Sequence, residues 1–347
     1  MKHWCKIILM TVVAALLIEV ASGLFVHTQF IYDPTDIQTV SVLNVKLNRF
    51  LAAPAPRAIF IGDSVINGVS LGEHGDHLWR EHTIDTVFQK LSPQWSTVNL
   101  GFNGALPCDL YYLYRNYLKN IPLELLVFDI GIRSFATDFE AESASLSRPW
   151  LQKFTWHDKL LAANIANDPR QSIENRMGIW LINHSYFFAL RDFLQWRYMG
   201  GPLSQVLPAT VKNWRGGGGQ EDDLAALLPA KARYARIQIK TESRQVGCLR
   251  GLLQGLSATD TPTIVFLSHE KPGSEDILLN KKDIQRLRND LKFLILQSAG
   301  PSIQYIEKIP DLKAELYLDH IHVNATGNAL IARELEKGAH RIASIRP

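Results

Sequence analysis

Apolar positions along this chain follow three different rhythms. The first is a long apolar run from about Ile7 to Val26, about the ~20 residues that cross a bilayer core. The second is a set of short apolar runs bounded by Gly, Pro, Asn or Asp: Ile59-Phe60-Ile61, Thr97 to Leu100, Leu123 to Ile130, Thr263 to Leu267 and Ser302 to Ile309. Runs of this length read as buried strands. The third is helical spacing. It predicts a short amphipathic helix over Val40 to Phe50 and a helix from Asp76 to Leu91, with Leu78, Trp79, Val87, Phe88 and Leu91 facing in. A tyrosine-rich helix is predicted from Asp109 to Leu118, with others over Arg244 to Leu256 and Lys281 to Ser298. A closing helix runs from about Gly327 to Ala343, where Leu330, Ile331, Leu335 and Ile342 share a face. Strands alternating with helices predict an α/β fold, a three-layer, doubly wound, mostly parallel sheet.

The rhythm breaks between about residues 136 and 256. Trp150, Trp156, Trp180, Trp196 and Trp214 punctuate polar segments there, and Gly216 to Gly219 form a four-glycine stretch. This part reads as a helical insertion, either a cap that walls the site or a peripheral layer. The expected organisation is an N-terminal transmembrane helix over 1–27, a connector over 28–57, and an α/β domain over 58–347 that carries the insertion.

Charge gives the apolar run a direction. Lys2 and Lys6 precede it, and the next Lys or Arg is Lys46. Positive charge on one side only keeps the N-terminus in the cytoplasm and exports the rest of the chain. The run is long for a signal peptide, so an uncleaved single-pass anchor in the cytoplasmic membrane, with the domain periplasmic or otherwise extracytoplasmic, is the expectation. A cleaved signal with Val20-Ala21-Ser22 as its small-residue site is the alternative. Glu19 interrupts the run near its distal end. A formal net charge of +3 with no basic stripe argues against a nucleic-acid partner. Outside the leader the only cysteines are Cys108 and Cys248. They can form a disulfide outside the cytoplasm or stay as unpaired core thiols.

The candidate chemistry gathers at strand ends. The first strand stops at Gly62-Asp63-Ser64, and a glycine there lets the backbone turn tightly. Ser64 then stands at the carboxyl edge of the sheet, where open α/β folds place ligands. Asp319 and His322 lie three residues apart, just before the last helix. A serine hydroxyl needs a base to take its proton, and a histidine in that role needs a carboxylate to set its tautomer. Asp63 is expected to hold the turn by bonding backbone N–H groups.

Gly-Asp-Ser after the first strand and Asp-x-x-His before the last helix resemble the blocks of the SGNH, or GDSL, hydrolase superfamily. The resemblance covers roughly residues 58–135 and 260–343. It implies a flavodoxin-like fold, Ser64 as nucleophile, His322 as base and Asp319 as its acid. Asn99-Leu100-Gly101-Phe102-Asn103-Gly104 fits the second block, so the N–H groups of Gly104 and Ser64 are the implied oxyanion donors. The third block departs from the pattern. Gly131-Ile132-Arg133-Ser134 carries Arg133 where that family has an asparagine. Arg133 either donates to the oxyanion or binds an anionic substrate; Asn103 is the other candidate for the side-chain donor; or the site is weak or dead.

The implied activity is acyl-ester hydrolysis or O-acyl transfer without a cofactor, with an acylated carbohydrate or lipid as substrate. The exported, anchored setting resembles bacterial proteins that place or remove acetyl groups on envelope polysaccharides. Some of those work beside a multi-span membrane acyltransferase, which would be this chain's partner. The rivals are a lipid or thioester esterase and a non-catalytic envelope-assembly protein. Asp319, His320 and His322 also suggest metal ligands, but a zinc site needs more donors than they supply, with His269 the only further candidate. His74, His77 and His82 read as surface or packing histidines with no carboxylate at useful spacing. The tyrosine row Tyr111, Tyr112, Tyr114 and Tyr117 reads as packing rather than substrate stacking.

Overall fold

The computed structural model describes residues 2–29, 40–141, 185, 187 and 222–345. These fall into two compact units. One holds the N-terminal residues up to Arg49 together with Ser185 and Phe187, and the other runs from Phe50 through the remaining described residues. Most of the expected insertion, including its five tryptophans and the four-glycine stretch, lies outside the described residues.

In the first unit, α1 (Lys2–Gln29) carries the apolar stretch Lys6–Leu24, long and apolar enough to cross a membrane. Ile8, Leu9, Met10, Leu16, Leu17 and Leu24 are exposed along it. The carboxylate of Glu19 accepts hydrogen bonds from Ser185 Oγ at 2.7 Å and from the Phe187 N–H at 3.2 Å, so the acid inside the apolar run is not left bare. Helix α2 (Val40–Ala52) follows.

The second unit is built on five parallel strands: β1 (Arg57–Ile61), β2 (Ser96–Asn99), β3 (Leu125–Ile130), β4 (Thr263–Leu267) and β5 (Ile303–Ile306). Their order is β2-β1-β3-β4-β5, the flavodoxin-like doubly wound order whose switch point lies between β1 and β3. Every ladder is parallel. The central strands are apolar on both faces because helices cover both. On one face Ala58, Phe60, Leu125, Val127, Ile264, Phe266 and Ile306 pack with Ile84 and Phe88 of α4 (Ile84–Leu91) and with Ile331, Leu335 and Ile342 of α9 (Ala325–Ile345). The side chains between them, Ile59, Leu126, Phe128 and Val265, point to the other face by the period of two and are fully buried. The helices of this second group are α5 (Pro107–Leu113), α7 (Arg244–Ala258) and α8 (Lys281–Ser298), while α6 (Asp222–Tyr234) precedes α7.

Local chemistry explains the boundaries. Helix α8 opens where the Asn280 side chain accepts the Asp283 N–H at 2.8 Å, and its buried stripe is Ile284, Leu287, Leu291, Leu294 and Ile295. Helix α4 is shorter than the pattern from Asp76 predicts. The Asp76 carboxylate accepts the Leu78 N–H at 2.9 Å and meets His82 Nδ1 at 2.6 Å, so the chain stays in turns until Thr83. Side-chain bonds of this kind compete with helical ones. They also correct the view of His82 as lacking a carboxylate. The tyrosine-rich segment is α-helical only to Leu113 and continues as one π-helical turn over Tyr114–Leu118. Tyr114 OH donates to Gly255 O at 2.9 Å, and Tyr111 packs over Gly251. Helix α7 therefore belongs with the sheet rather than with the insertion, which was expected to extend to about residue 256. Cys108 of α5 and Cys248 of α7 are joined by a disulfide.

Candidate active site

The carboxyl ends of β1, β3 and β4 converge on one short turn. Strand β1 ends at Ile61, and Ser64–Asn67 forms a single helical turn, here α3. The register that pairs Ile61 with Phe128 sets Gly62 beside Asp129. A Cβ on residue 62 would lie 2.0 Å from Asp129 Oδ1, so only glycine lets the two strands come together here. Asp63 caps α3, its Oδ1 accepting the Val65 N–H at 2.8 Å. Ser64 is the first residue of that turn.

The loop after β5 brings the other two side chains. Leu318 N–H donates to His322 O at 2.7 Å, and Tyr317 bridges to Val323, which closes a tight loop before α9. Inside it Asp319 Oδ1 accepts the N–H groups of Ile321 at 2.8 Å and His322 at 2.7 Å. Asp319 Oδ2 lies 2.6 Å from His322 Nδ1, and His322 Nε2 lies 2.7 Å from Ser64 Oγ. A carboxylate only accepts, so Nδ1 carries the proton and Nε2 is left to accept from the serine hydroxyl. Burial would raise the Asp319 carboxyl, but the hydrogen bond and charge of His322 and the two backbone N–H groups outweigh it and hold the acid well below the usual carboxylate range. The structure thus brings together the three side chains singled out in the sequence, across 258 residues between Ser64 and His322.

The loop after β2 is tied to the same turn. Asn99 Nδ2 donates to Ile66 O at 2.7 Å and to Asp85 Oδ1 at 2.7 Å, and its Oδ1 accepts the Gly101 N–H at 2.9 Å. Asn67 Nδ2 donates to Gly101 O at 3.1 Å. A Cβ on residue 101 would sit 2.7 Å from the Asn67 backbone nitrogen. These contacts hold Asn103 and Gly104, the latter at φ +66°, on a loop bound directly to α3. Asn67 and Asp85 carry no mark in the sequence that sets them apart from other polar residues; their part in tying the loop is visible only in the fold.

Arg133 has a different setting from the one its place in the sequence suggests. Its guanidinium is buried, bonds Asp63 Oδ2 through Nη2, and donates from Nη1 to Ser268 Oγ at 3.2 Å. Nη2 also lies 4.0 Å from Asp129 Oδ2. Burial alone would raise the Asp63 carboxyl, yet the Arg133 charge beside it and the Val65 N–H hold it below the usual range. Asp129 goes the other way. Burial, then the charge of Asp63, push its carboxyl well above the carboxylate range. Asp129 and Ser268 belong to this cluster without standing out in the sequence, where an acid inside the apolar run Leu-Leu-Val-Phe-Asp-Ile is the one available signal.

His320 and His269 lie close by in other roles. His320 O accepts the Lys271 N–H at 2.8 Å, and burial lowers the His320 imidazole. The His269 ring bonds Glu307 O. Among the described residues no group of three or more His, Cys, Asp or Glu side chains is placed to hold a metal ion. A pocket beside the triad is lined by Ser64, Val65, Leu71, His322, Val323 and Asn328.

The sequence matches no protein-family model, and no curated protein matches it. Solved structures do resemble the fold. An acetylxylan esterase from Geobacillus stearothermophilus is 11% identical, with 82% of this chain and 93% of that chain covered and a TM-score of 0.38. A protein of the G-D-S-L family from Desulfitobacterium hafniense DCB-2 is 11% identical over 82% and 99% of the two chains, with a TM-score of 0.40. An alpha/beta hydrolase enzyme from the metagenome of Lake Arreo is 13% identical over 84% and 99%, with a TM-score of 0.39.

Proposed function

We propose that this chain is an SGNH-type serine enzyme that cleaves acyl esters through a covalent Ser64 intermediate. The observation that carries the reading is the unbroken hydrogen-bond path Asp319–His322–Ser64, at 2.6 and 2.7 Å. Ser64 Oγ attacks the acyl carbonyl while His322 Nε2 takes its proton. The carbonyl oxygen becomes an oxyanion, held by the N–H groups of Ser64 and Gly104 and by the Asn103 side chain. Collapse breaks the ester bond, and His322 returns the proton to the leaving alcohol. A second hydroxyl then attacks the acyl-enzyme while His322 takes its proton, and as the acyl–Oγ bond breaks His322 returns that proton to Ser64 Oγ. Water as that acceptor makes the chain an esterase, and a sugar hydroxyl makes it an O-acyltransferase.

Three observations support the finer reading, acetyl groups on an envelope polysaccharide. The wall beside Ser64 mixes the apolar side chains Val65, Leu71 and Val323 with the polar Ser70 and Asn328, which suits a small acyl group on a polar substrate. The apolar helix with Lys2 and Lys6 ahead of it suits a membrane anchor that leaves the sheet domain outside the cytoplasm. The Cys108–Cys248 bridge suits an oxidising compartment. The one membrane-length apolar helix among the described residues does not by itself carry an acyl donor across a membrane, so the transferase form of this reading includes a multi-span acyltransferase partner.

Labelling with a fluorophosphonate tests the core of this reading. The wild-type chain is expected to be modified at Ser64 and Ser64→Ala to be silent. An unlabelled wild-type chain overturns the enzyme reading and leaves a binding protein. Acyl transfer to purified envelope polysaccharide, measured with and without Ser64→Ala, then separates transferase from esterase.

A further inference from the structure

We propose that Arg133 and Asp129 are positioning residues for Ser64, with Arg133 serving as the internal counter-ion of Asp63 instead of an oxyanion donor. The proposal rests on Ser64 being the nucleophile, and it assigns work to Arg133, the departure from the pattern the site resembles, and to the buried acid beside it.

The geometry is a buried cluster beneath the nucleophile turn, drawn from three adjacent strand ends. Asp63 follows β1, Asp129 lies in β3, Arg133 follows β3 and Ser268 follows β4. Asp129 Oδ1 accepts the Asp63 N–H at 3.1 Å, which holds the backbone one residue ahead of Ser64. Asp63 Oδ1 accepts the Val65 N–H, which holds the backbone one residue after it. Ser64 is therefore clamped from both sides by carboxyl groups. Asp63 and Asp129 are 8% and 2% exposed, and Arg133 is 8% exposed. An unpaired carboxylate in that place is strongly disfavoured, and its charge would also oppose a developing oxyanion nearby. Arg133 cancels it. Gly131 is what allows this, since a Cβ there would lie 2.4 Å from Arg133 Nη1; with glycine, the arginine folds back over its own turn toward Asp63 and Ser268. Asp129 adds no second charge while it keeps its proton, and its raised pKa is consistent with that. One cation thus sits directly on Asp63, with the Asp129 carboxyl 4.0 Å from the same nitrogen.

A counter-ion and an oxyanion donor predict different outcomes in a double-mutant cycle. An uncompensated buried Asp63 is the defect in Arg133→Gln, so Asp63→Asn should repair it. A lost oxyanion donor would not be repaired by any change at residue 63. The experiment measures kcat and KM for p-nitrophenyl acetate, and the rate of fluorophosphonate labelling, on the full chain as wild type, R133Q, D63N and D63N/R133Q. We expect R133Q to lose about 10- to 100-fold in kcat with KM within about threefold, since a small misplacement of a nucleophile has effects of that size. D63N/R133Q is expected to match D63N within about threefold, the cycle being non-additive because the two side chains touch. A further drop of about tenfold or more from D63N to D63N/R133Q would overturn the counter-ion role. The same comparison decides the matter if R133Q alone does not fold, because the double variant leaves no charge unpaired. For Asp129, D129A should lose about 10- to 100-fold in kcat, and D129N, which keeps the acceptor for the Asp63 N–H, should recover most of it. Equal rates for D129A and wild type would overturn the positioning role. A wild-type chain that neither labels nor hydrolyses the ester fails the nucleophile reading instead, which keeps the two failures apart.

Discussion

Asp319 accepts three hydrogen bonds within its own loop: two backbone N–H groups on Oδ1 and the His322 ring on Oδ2. Its carboxylate therefore builds the loop and orients the base at once. Removing the charge should affect both. Asp319→Asn is expected to lower kcat by about 10³- to 10⁴-fold, because an amide no longer dictates which ring nitrogen of His322 is protonated. Steady-state ester hydrolysis measures it. The pH dependence has a definite sign. A carboxyl held below its ordinary range stabilises the fold fully above about pH 4, and that contribution fades as pH falls through the folded value. The Tm difference between wild type and Asp319→Asn should therefore narrow as the medium is acidified below about pH 4. A gap that widens as pH falls would show that Asp319 is not stabilised in its charged form.

At the scale of elements, the site is the meeting of three loops. Each is held to the turn at Ser64 by a contact that only a particular residue allows. The loop after β2 is held at several points. Gly101 sits against the Asn67 backbone, and Asn99 and Asn67 stitch the two segments together. Gly101→Ala places a Cβ where the nearest neighbour is backbone, which cannot swing aside. A loss of roughly 1–3 kcal/mol is expected from such overpacking, together with a larger fall in kcat than in 1/KM, because the proposed oxyanion donors Asn103 and Gly104 lie on that loop. Thermal unfolding and ester kinetics on the same preparation check both. The alternation of short apolar runs and helical patterns is enough to find β1 to β5, α8 and α9, since their burial follows simple periods. It overruns at Asp76 to Leu91 and at the tyrosine-rich helix. There, side-chain hydrogen bonds from Asp76 and a packing surface of glycines on α7 decide the local conformation, and neither is a periodic signal.

For the whole molecule, the consequential link is the disulfide between α5 and α7. Cys108 sits in the first turn of the helix that follows the loop of Asn103 and Gly104, and its N–H donates to Gln245 Oε1 at 3.1 Å. The bridge spans 140 residues of chain, so it restricts the unfolded state strongly. Cys108→Ser with Cys248→Ser is expected to cost roughly 2–5 kcal/mol, read as a lower Tm than that of the oxidised wild-type chain. Wild type kept fully reduced should melt with the double variant. Equal Tm values for oxidised wild type and the variant would mean that the bridge adds nothing to the fold.

The sequence by itself determined the strand–helix order, the apolar N-terminal helix and the three residues Ser64, Asp319 and His322. Periodicity reports burial, and a few residue types in a fixed order report chemistry. The tertiary structure decided what those signals do not carry. It closed Cys108 onto Cys248, set Gly62 against Asp129, and brought the Arg133 guanidinium onto Asp63. All of these depend on which strand ends lie side by side. In a parallel sheet of order β2-β1-β3-β4-β5, neighbours in space are not neighbours in the chain, and no local pattern records that a buried charge will find its partner one strand away.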